Sequence, residues 1–350
     1  MRIFLHDIEN RDAFYPLTTL RNIEDLRVGI FSIKEKWIRM GNAQGIKIEI
    51  VNDPSQSDIK IPSNFIPHHS LDLNRVFPVG IGQTDQDCNI HKWWDIIKWN
   101  ENFIHNDIHL LHDFKSIQIP EQVEHSGKQA LLIHEEAVLE HCFINTTDGP
   151  VVIDKGAKIM IGALLRGPLY IGNNAVVKMG AQLYGGSNIG ENCIVGGEIK
   201  NSVFHANSNK SHHGYIGDSY IGEWCNLGAG TSNSNLKNTA SPIHVWNQTI
   251  QQFEPGPHKI GMIMGDHVKT AINTSINSGA VLSSFTNIFT ELGKLTPKYL
   301  PMFSWGLDDG LQYQLDHLLA EISRWMKLKG QDLSQVQKEK IITLYKQFKK

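Results

Sequence analysis

The 350-residue sequence lacks several features that would place it in a class at once. It contains no run of eighteen apolar residues, so we expect no membrane span. Its 33 basic and 36 acidic residues leave a net charge of −3, which argues against a nucleic-acid or membrane-surface protein. The start of the chain turns polar at His6, unlike a secretion signal. We therefore expect a cytoplasmic protein that binds neither nucleic acid nor membrane.

Cysteine is also scarce, and its spacing excludes two common uses. The four cysteines, Cys88, Cys142, Cys193 and Cys225, lie far apart and form no C-x-x-C pair. This spacing argues against a disulfide framework and against a structural zinc site, and it fits a reducing cytoplasm. We expect no metal site from the sequence.

Glycine is average in number but unevenly placed, because fifteen of the 30 glycines fall between residues 151 and 230. Neither the helical period of 3.6 residues nor the strand period of two explains the aliphatic spacing in this stretch. An aliphatic residue recurs at every sixth position, at Ile153, Ile159, Leu165, Ile171, Val177, Leu183, Ile189 and Val195. A six-residue repeat predicts a solenoid in which three strand-and-turn units close one coil. Glycine and asparagine suit its corners, where the backbone needs positive φ.

The same ladder continues further along the chain, with two interruptions. It resumes at Ile221 and Leu227, and again at Met264, Thr270, Ile276, Leu282 and Ile288. The interruptions, residues 199–215 and 232–259, are interpreted as loops that leave the coil. Loops on a rigid scaffold are where functional side chains gather.

The flanking regions follow other patterns. Residues 1–118 mix short apolar runs with helical periodicity, which predicts a small α/β domain. One helix is predicted from Asp25 through Trp37, with Leu26, Ile30 and Ile33 on the same face. Another is predicted near residues 93–112. The resulting division is 1–118 for the α/β domain, 119–308 for the solenoid and 309–350 for two amphipathic helices that cap an end of the solenoid or pack on its side.

The segment from residue 200 to 238 carries a specific motif. The pattern H-x-x-Y-[LI]-G-[DN] is matched by His212, Tyr215, Ile216, Gly217 and Asp218. On this basis the segment resembles the acetyltransferase half of the bifunctional N-acetylglucosamine-1-phosphate uridyltransferase/glucosamine-1-phosphate acetyltransferase family. The Bacteroidetes-type variant of that family is similar over nearly the whole chain, through PLTTLRNIEDLRVGIFSIKEKW, VVKMGAQLYGG, SNKSHHGYIGDSYIGEWCNLGAGTSNSNLKN, MGDHVKTAINT and YLPMFSWG.

This resemblance implies a left-handed parallel β-helix that forms a homotrimer, uses acetyl-CoA and acetylates an amino-sugar phosphate. Residue by residue, it implies that His212 is the base and that Asn235 and the Ala229 N–H act at the thioester oxygen. The substrate-binding residues that it implies are Arg166 and Lys200 at the phosphate, with Tyr215, Asn226 and Lys237. Lys237 would have to replace a second family lysine, whose position holds Ser241.

Several alternatives remain open at this point. The histidines can be polar loop residues, and His205, His212 and His213 can also bind zinc between subunits. A rival activity is sugar-1-phosphate nucleotidyl transfer from UTP or dTTP, with Mg²⁺, through the N-terminal domain. That domain is short and lacks the family's glycine-rich phosphate turn. Its substitute phosphate ligands would be Arg21, Arg27, Lys34 and Lys36. A non-catalytic trimeric scaffold is the third possibility.

Overall fold

A computed structural model describes residues 1–8, 11–74, 89–290, 293–307 and 311–349. Within these ranges the middle of the chain is a parallel β-solenoid whose coils each contribute a strand to three faces. Face 1 contains the strands Leu131–Ile133, Val151–Ile153, Leu169–Ile171, Ser187–Ile189, Val203–Phe204, Tyr220–Ile221, Ile263–Met264, Val281–Leu282 and Tyr299–Leu300.

The other two faces follow in the same order along every coil. Face 2 contains Val138–Leu139, Lys158–Ile159, Val176–Val177, Ile194–Val195, Asn209–Lys210, Asn226–Leu227, Lys269–Thr270 and Asn287–Ile288. Face 3 contains Val123–Ser126, Cys142–Asn145, Leu164–Arg166, Gln182–Leu183, Glu198–Lys200 and Tyr215–Gly217, and it is continued by the pair Ser232–Asn233 and Ser275–Ile276. We call the corners between them the 1–2 edge, the 2–3 edge and the 3–1 edge.

The predicted aliphatic ladder is confirmed as the solenoid interior. All eight positions from Ile153 to Val195 belong to one buried cluster, which continues through Met264, Ile276, Leu282 and Ile288. The predicted corner chemistry is also confirmed, since Gly156 and Gly162 have positive φ and so do several asparagines. Cys142, Cys193 and Cys225 are unpaired and buried, while Cys88 lies outside the described residues.

The predicted loop at residues 199–215 is wrong. The solenoid runs through this stretch as the strands Glu198–Lys200, Val203–Phe204, Asn209–Lys210 and Tyr215–Gly217. The ladder loses its frame because the coil shortens: Ile171 pairs with Ile189, but Ile189 pairs with Phe204, only fifteen positions on. The interruption at 232–259 does leave the coil after the strand Ser232–Asn233, and it carries an antiparallel hairpin of His244–Asn247 with Gln252–Pro255.

The N-terminal region packs on the outer surface of face 1. Its parallel sheet has the order Glu49–Ile50, Arg2–His6, Ile59–Pro62, and its helices are α1 (Ile33–Ala43) and α2 (Trp93–Asp107). The short elements are a ladder of Arg27–Val28 with Phe31–Ser32 and 3-10 turns at Arg11–Phe14, Leu17–Thr19, Ile23–Asp25, Pro54–Gln56 and Ile108–Leu110. Its core is continuous with outward side chains of face 1, including Val152, Tyr170, Val203, Tyr220 and Val281.

The helix predicted from Asp25 to Trp37 is also wrong in its start. Leu26, Ile30, Ile33 and Trp37 are all buried, as the pattern required. However, the chain forms a turn and a two-stranded ladder first, and α1 begins only at Ile33. Ser32 provides the N-cap, because its side chain accepts a hydrogen bond from the N–H of Glu35 while Glu35 reaches back to Ser32.

The two predicted C-terminal helices are present as α3 (Leu315–Leu328) and α4 (Gln335–Phe348). They pack on the side of the solenoid at the 1–2 edge. Leu318, Ile322 and Tyr345 form a buried cluster with Trp224 and Phe285, which stand at corners of that edge. No helix among the described residues is long and apolar enough to cross a bilayer.

Candidate active site

The 2–3 edge holds the histidine motif. Two successive corners, residues 211–214 and 228–231, stack there, because the N–H of Gly230 donates to the carbonyl of His213 at 3.0 Å. The next corner is fixed in the same way, since the N–H of Asn273 donates to the carbonyl of Ala229 at 2.6 Å. The loop that carries His212 therefore lies against the corner that carries Ala229.

His212 and Ala229 are both accessible at this edge. The His212 side chain is exposed, and Ala229 is half-buried. In the described part of the chain the N–H of Ala229 has no hydrogen-bond acceptor, although its neighbours Gly230 and Thr231 both donate to carbonyls. Backbone donors of this kind stabilise the oxyanion in many acyl-transfer enzymes.

A buried lysine supports this loop from inside the solenoid. Lys210 occupies the inward ladder position that Val195 fills one coil earlier, and it is fully buried. Its Nζ donates to the carbonyls of His212 and Gly196. Burial lowers the pKa of Lys210 to about 8. The wrong loop prediction at 199–215 concealed this residue.

Tyr215 and Asn235 meet on face 3. The Nδ2 of Asn235 donates to the Tyr215 hydroxyl at 2.9 Å and to Oδ2 of Asp218 at 2.6 Å. Burial first, and then the charge of Asp218, raises the pKa of Tyr215 to about 12. A Cβ on Gly217 would lie 2.1 Å from the Tyr215 hydroxyl, so a side chain at this position would displace the tyrosine ring.

Two further residues complete this group. Asn201 donates to Oδ1 of Asp218 at 2.8 Å, and the Lys259 ammonium lies 3.4 Å from Oδ2 of the same carboxylate. The sequence motif includes Asp218, but Lys259 lies at the end of the insertion and no spacing rule points to it. The end of the insertion thus places the Lys259 ammonium beside Asp218, which belongs to the coil before the insertion.

The other predicted substrate-binding residues lie on different parts of the solenoid and its insertion. Lys200 pairs in register with Gly217, so it lies one strand from Tyr215. Arg166 lies on the same face but three strands away, roughly 14 Å at the usual strand spacing. It is half-exposed and paired with Asp148. A single chain therefore does not bring Arg166 to His212.

Asn226 and Lys237 lie elsewhere. Asn226 is on face 2, where its Oδ1 accepts a hydrogen bond from Asn209 at 3.5 Å. Lys237 is within the insertion and donates to the carbonyl of Pro242 at 2.6 Å. His205 is at the 1–2 edge, 2.9 Å from Glu223, and so at a different corner from His212 and His213. Within the described ranges no three His, Cys, Asp or Glu side chains are grouped to hold a metal ion.

Face 3 is open to solvent and partly apolar. Phe143 and Leu164 are exposed there on neighbouring strands, and Tyr184 is exposed directly after the next strand, Gln182–Leu183. Together with Arg166 they line a groove of about 470 Å³. Exposed apolar surface of this kind is typical of a subunit interface.

The four predicted nucleotide ligands do not form one site. Arg21, Arg27 and Lys34 line a cavity at the 1–2 edge. Lys36 does not line it, because its side chain is 1% exposed and forms an ion pair with the buried Asp107 of α2. Lys34 is paired with Asp25, and Arg21 with Asp266. The partners of Arg21 and Lys36 lie 245 and 71 positions away along the chain, so no sequence pattern points to them.

Comparison with known proteins gives partial matches. A family model described as sugar nucleotidyl transferase matches residues 3–50. The chain is 40% identical over 87 residues to the bifunctional protein GlmU of Methanocaldococcus jannaschii, covering 25% of this chain and 21% of that protein. It is 36% identical over 92 residues to the bifunctional sugar-1-phosphate nucleotidylyltransferase/acetyltransferase of Sulfurisphaera tokodaii, covering 26% and 23% respectively.

A solved structure, that of the polysialic acid O-acetyltransferase OatWY, covers 51% of this chain and 81% of its own, with 18% identity and a TM-score of 0.26. The matched stretch spans about a fifth of the length of the two curated relatives. The chain is thus similar to sugar nucleotidyl transferases over its first fifty residues and to two-activity sugar enzymes over a quarter of its length.

Proposed function

We propose that this chain is a transferase that moves the acetyl group of acetyl-CoA to the amine of an amino-sugar phosphate such as glucosamine 1-phosphate, within nucleotide-sugar synthesis for the cell envelope. The observation that carries the proposal is the 2–3 edge, where exposed His212 lies against the corner with the free N–H of Ala229. The name of the Sulfurisphaera tokodaii relative, which includes an acetyltransferase, supports it.

The chemistry assigns one task to each group. The sugar amine attacks the thioester carbonyl, a C–N bond forms, and the C–S bond breaks to release CoA as the thiol. His212 takes the proton that the amine loses and passes it to the departing thiolate, since an imidazole can act first as a base and then as an acid. The Ala229 N–H donates to the oxygen on which negative charge develops, a contribution worth about 3 kcal/mol for a well-placed donor. Asn235 holds the Tyr215 hydroxyl beside this edge.

The sugar phosphate would be held by basic side chains of face 3. Lys200 lies one strand from Tyr215 and has an exposed side chain. Arg166 is too distant in the same chain, so we propose that a second subunit brings its own Arg166, Asn226 or Lys237 to the site. The exposed apolar side chains of face 3 support a homotrimer that buries this face.

The test is acetyl transfer by the variant His212→Ala. Free CoA thiol should form about 10²- to 10⁴-fold more slowly than in the unaltered protein, because a general base is lost. The matched control is His213→Ala, which removes the neighbouring exposed imidazole but keeps the carbonyl that binds Gly230. His213→Ala should keep most of the activity. A near-normal rate for His212→Ala would exclude His212 as the base.

The match of residues 3–50 to the sugar nucleotidyl transferase model favours a second candidate, transfer of a nucleotidyl group from UTP or dTTP to a sugar 1-phosphate, with Mg²⁺. Pyrophosphate release, measured separately from CoA thiol in the same preparation, distinguishes the two activities. A protein that releases neither product, and whose thermal stability is unchanged by acetyl-CoA and nucleotides, would instead be a trimeric scaffold.

A further inference from the structure

The corner that carries His212 is longer than the corner of the preceding coil. Four residues, 211–214, join its two strands, whereas Gly196 and Gly197 alone join the corresponding strands one coil earlier. Corner-to-corner backbone hydrogen bonds therefore cannot support the whole of the longer corner. Among the described residues, no backbone N–H donates to the carbonyl of His212.

Lys210 supplies a donor for that carbonyl from inside the solenoid. It ends the strand before the corner, and its register partner in the preceding coil is Val195, a residue of the aliphatic ladder. Its Nζ donates to the carbonyl of His212 and, at 3.4 Å, to the carbonyl of Gly196. One ammonium thus joins two successive corners from the interior.

The His212 corner is consequently held on two sides. The N–H of Gly230 donates to the carbonyl of His213 at 3.0 Å from the next coil, and Lys210 binds the carbonyl of His212 from within. The exposed imidazole of His212 depends on these two bonds for its place beside Ala229. Placement of this kind matters to catalysis, because a shift of about 1 Å in a reacting group can cost about a hundredfold in rate.

The ammonium of Lys210 binds carbonyls only and has no carboxylate partner among the described residues. Burial alone lowers the pKa of Lys210 to about 8. The buried thiols of Cys193 and Cys225, just before their face 2 strands, have pKa values that burial raises to about 11 and about 12, so they stay neutral in this range. The titratable side chains on the nearest corners of the 2–3 edge are at least partly exposed to solvent, and they are Lys178, Glu198, His212 and His213.

On the basis of the acetyl transfer proposed for the 2–3 edge, we propose that charged Lys210 is a positioning residue, which holds the corner on which His212 stands, and that loss of its proton slows acetyl transfer. Hydrogen bonds from a charged donor are about twice as strong as those from a neutral one, so the neutral amine holds both carbonyls less firmly. Acetyl transfer should therefore decline as pH rises through about 8, whereas a base alone gives a rate that rises and then levels off.

The experiment measures kcat and KM from about pH 6 to about pH 10 for the unaltered protein, Lys210→Met and Lys210→Gln. Methionine suits an aliphatic ladder position but has no donor, so kcat at neutral pH should fall about ten- to a hundredfold while KM for both substrates barely changes. Glutamine donates without titrating, so its kcat should fall less. The decline above about pH 8 should be present in the unaltered protein and absent from both variants.

Lys269→Met is the matched control. Lys269 is also a buried lysine whose Nζ donates to a corner carbonyl, that of Trp224 at 2.6 Å, but this corner lies at the 1–2 edge. The control should keep the kcat and the pH profile of the unaltered protein. Lys210→Met removes a buried charge, so at neutral pH it should resist urea at least as well as the unaltered protein does. Slower transfer by a stable variant is then not a loss of fold.

Hydrogen exchange tests Lys210 without any acetyl transfer. Peptides that cover residues 211–231, measured by mass spectrometry, should exchange faster in Lys210→Met than in Lys269→Met, because the corner that binds the N–H of Gly230 is looser. A normal kcat in Lys210→Met, a decline above about pH 8 that persists in both Lys210 variants, or equal exchange would each overturn the proposal. If the unaltered protein transfers no acetyl group, the proposed function fails, and the exchange rates still decide whether Lys210 holds the corner.

Discussion

The 1–2 edge and the 2–3 edge are corners of the same coils, but their side chains meet opposite environments. At the 1–2 edge the N-terminal region and the C-terminal helices cover the corners, so Arg21 and Asp266 pair out of contact with water. At the 2–3 edge no described part of the chain covers His212, whose side chain is exposed. One edge is therefore covered by other parts of the chain, whereas the other is open to solvent.

Because of this difference, removing one partner of an ion pair should cost more stability at the covered edge than on the open side. A paired charge that is buried costs much when its partner is removed, because the remaining charge cannot return to water. A paired charge on an open face costs little, because water replaces the partner. Variants on the two sides should therefore separate clearly in stability.

The largest effect is expected from Arg21→Met at the covered edge. Asp266 is 1% exposed, so losing Arg21 leaves a buried carboxylate without its cation. The free energy of unfolding should fall by about 3–5 kcal/mol in urea denaturation. The double variant Arg21→Met/Asp266→Asn removes both charges and should cost less than Arg21→Met alone. An equal or larger cost in the double variant would show that the charge pair is not the reason.

The next effect is expected from Gly217→Ala, beside the open edge. The new methyl group would collide with the Tyr215 hydroxyl and move the ring away from Asn235. We expect a loss of about 1–3 kcal/mol in unfolding free energy, together with slower acetyl transfer. In a Tyr215→Ala background the same glycine substitution should cost much less. Equal costs in both backgrounds, measured as a double-mutant cycle, would place the strain in the backbone instead.

The third prediction concerns the pH dependence of stability in Lys210→Met. Lys210 is buried, but it donates to the carbonyl of His212 at the open edge. The folded chain holds its pKa at about 8, and the unfolded chain at about 10.4. Unfolding therefore takes up a proton between these values, and the stability that Lys210 costs is regained as pH rises through the window. Relative to Lys210→Met, the unaltered protein should gain up to about 1.4 kcal/mol per pH unit between pH 8 and 10. Parallel stability curves for the two proteins would contradict the shifted pKa.

The smallest effect is expected from Arg166→Met on face 3. Arg166 and Asp148 are each half-exposed, so their pairing contributes at most about 1 kcal/mol to stability. If Arg166 serves a neighbouring subunit's substrate, the Michaelis constant for the sugar phosphate should rise while the unfolding free energy barely changes. A stability loss as large as that of Arg21→Met would remove the contrast between the two sides.

Much of the solenoid could be predicted because the same aliphatic positions recur in every coil, so several coils together establish the period. The ladder from Ile153 to Val195 worked while coils kept eighteen residues. The prediction failed where one coil is three residues shorter. The inward position of Lys210, which takes the place of an apolar residue of the ladder, was missed for the same reason. The domain division at residues 118 and 308, the trimer and the residue roles remain predictions.

The candidate sites divide in the same way. His212, Tyr215 and Asp218 lie within seven residues and follow a motif, so a sequence reading can find them. The cavity at the 1–2 edge has no such signal, because Arg21 and Asp266 are 245 positions apart and become neighbours only in the folded chain. The sequence predicts that the basic residues near the N-terminus are free to bind phosphate, whereas in the folded chain Arg21, Lys34 and Lys36 are paired with carboxylates.

The hydrogen bond from Lys340 to the carbonyl of Leu20 joins segments separated by 320 positions. During synthesis the N-terminal region and the coils leave the ribosome before α4 does, so the Phe303 ring, which α4 covers with Tyr345 and Phe348, stays exposed on that side until α4 arrives. A ribosome that stalls before residue 335 would display a folded solenoid with an apolar strip, which is a surface that chaperones recognise.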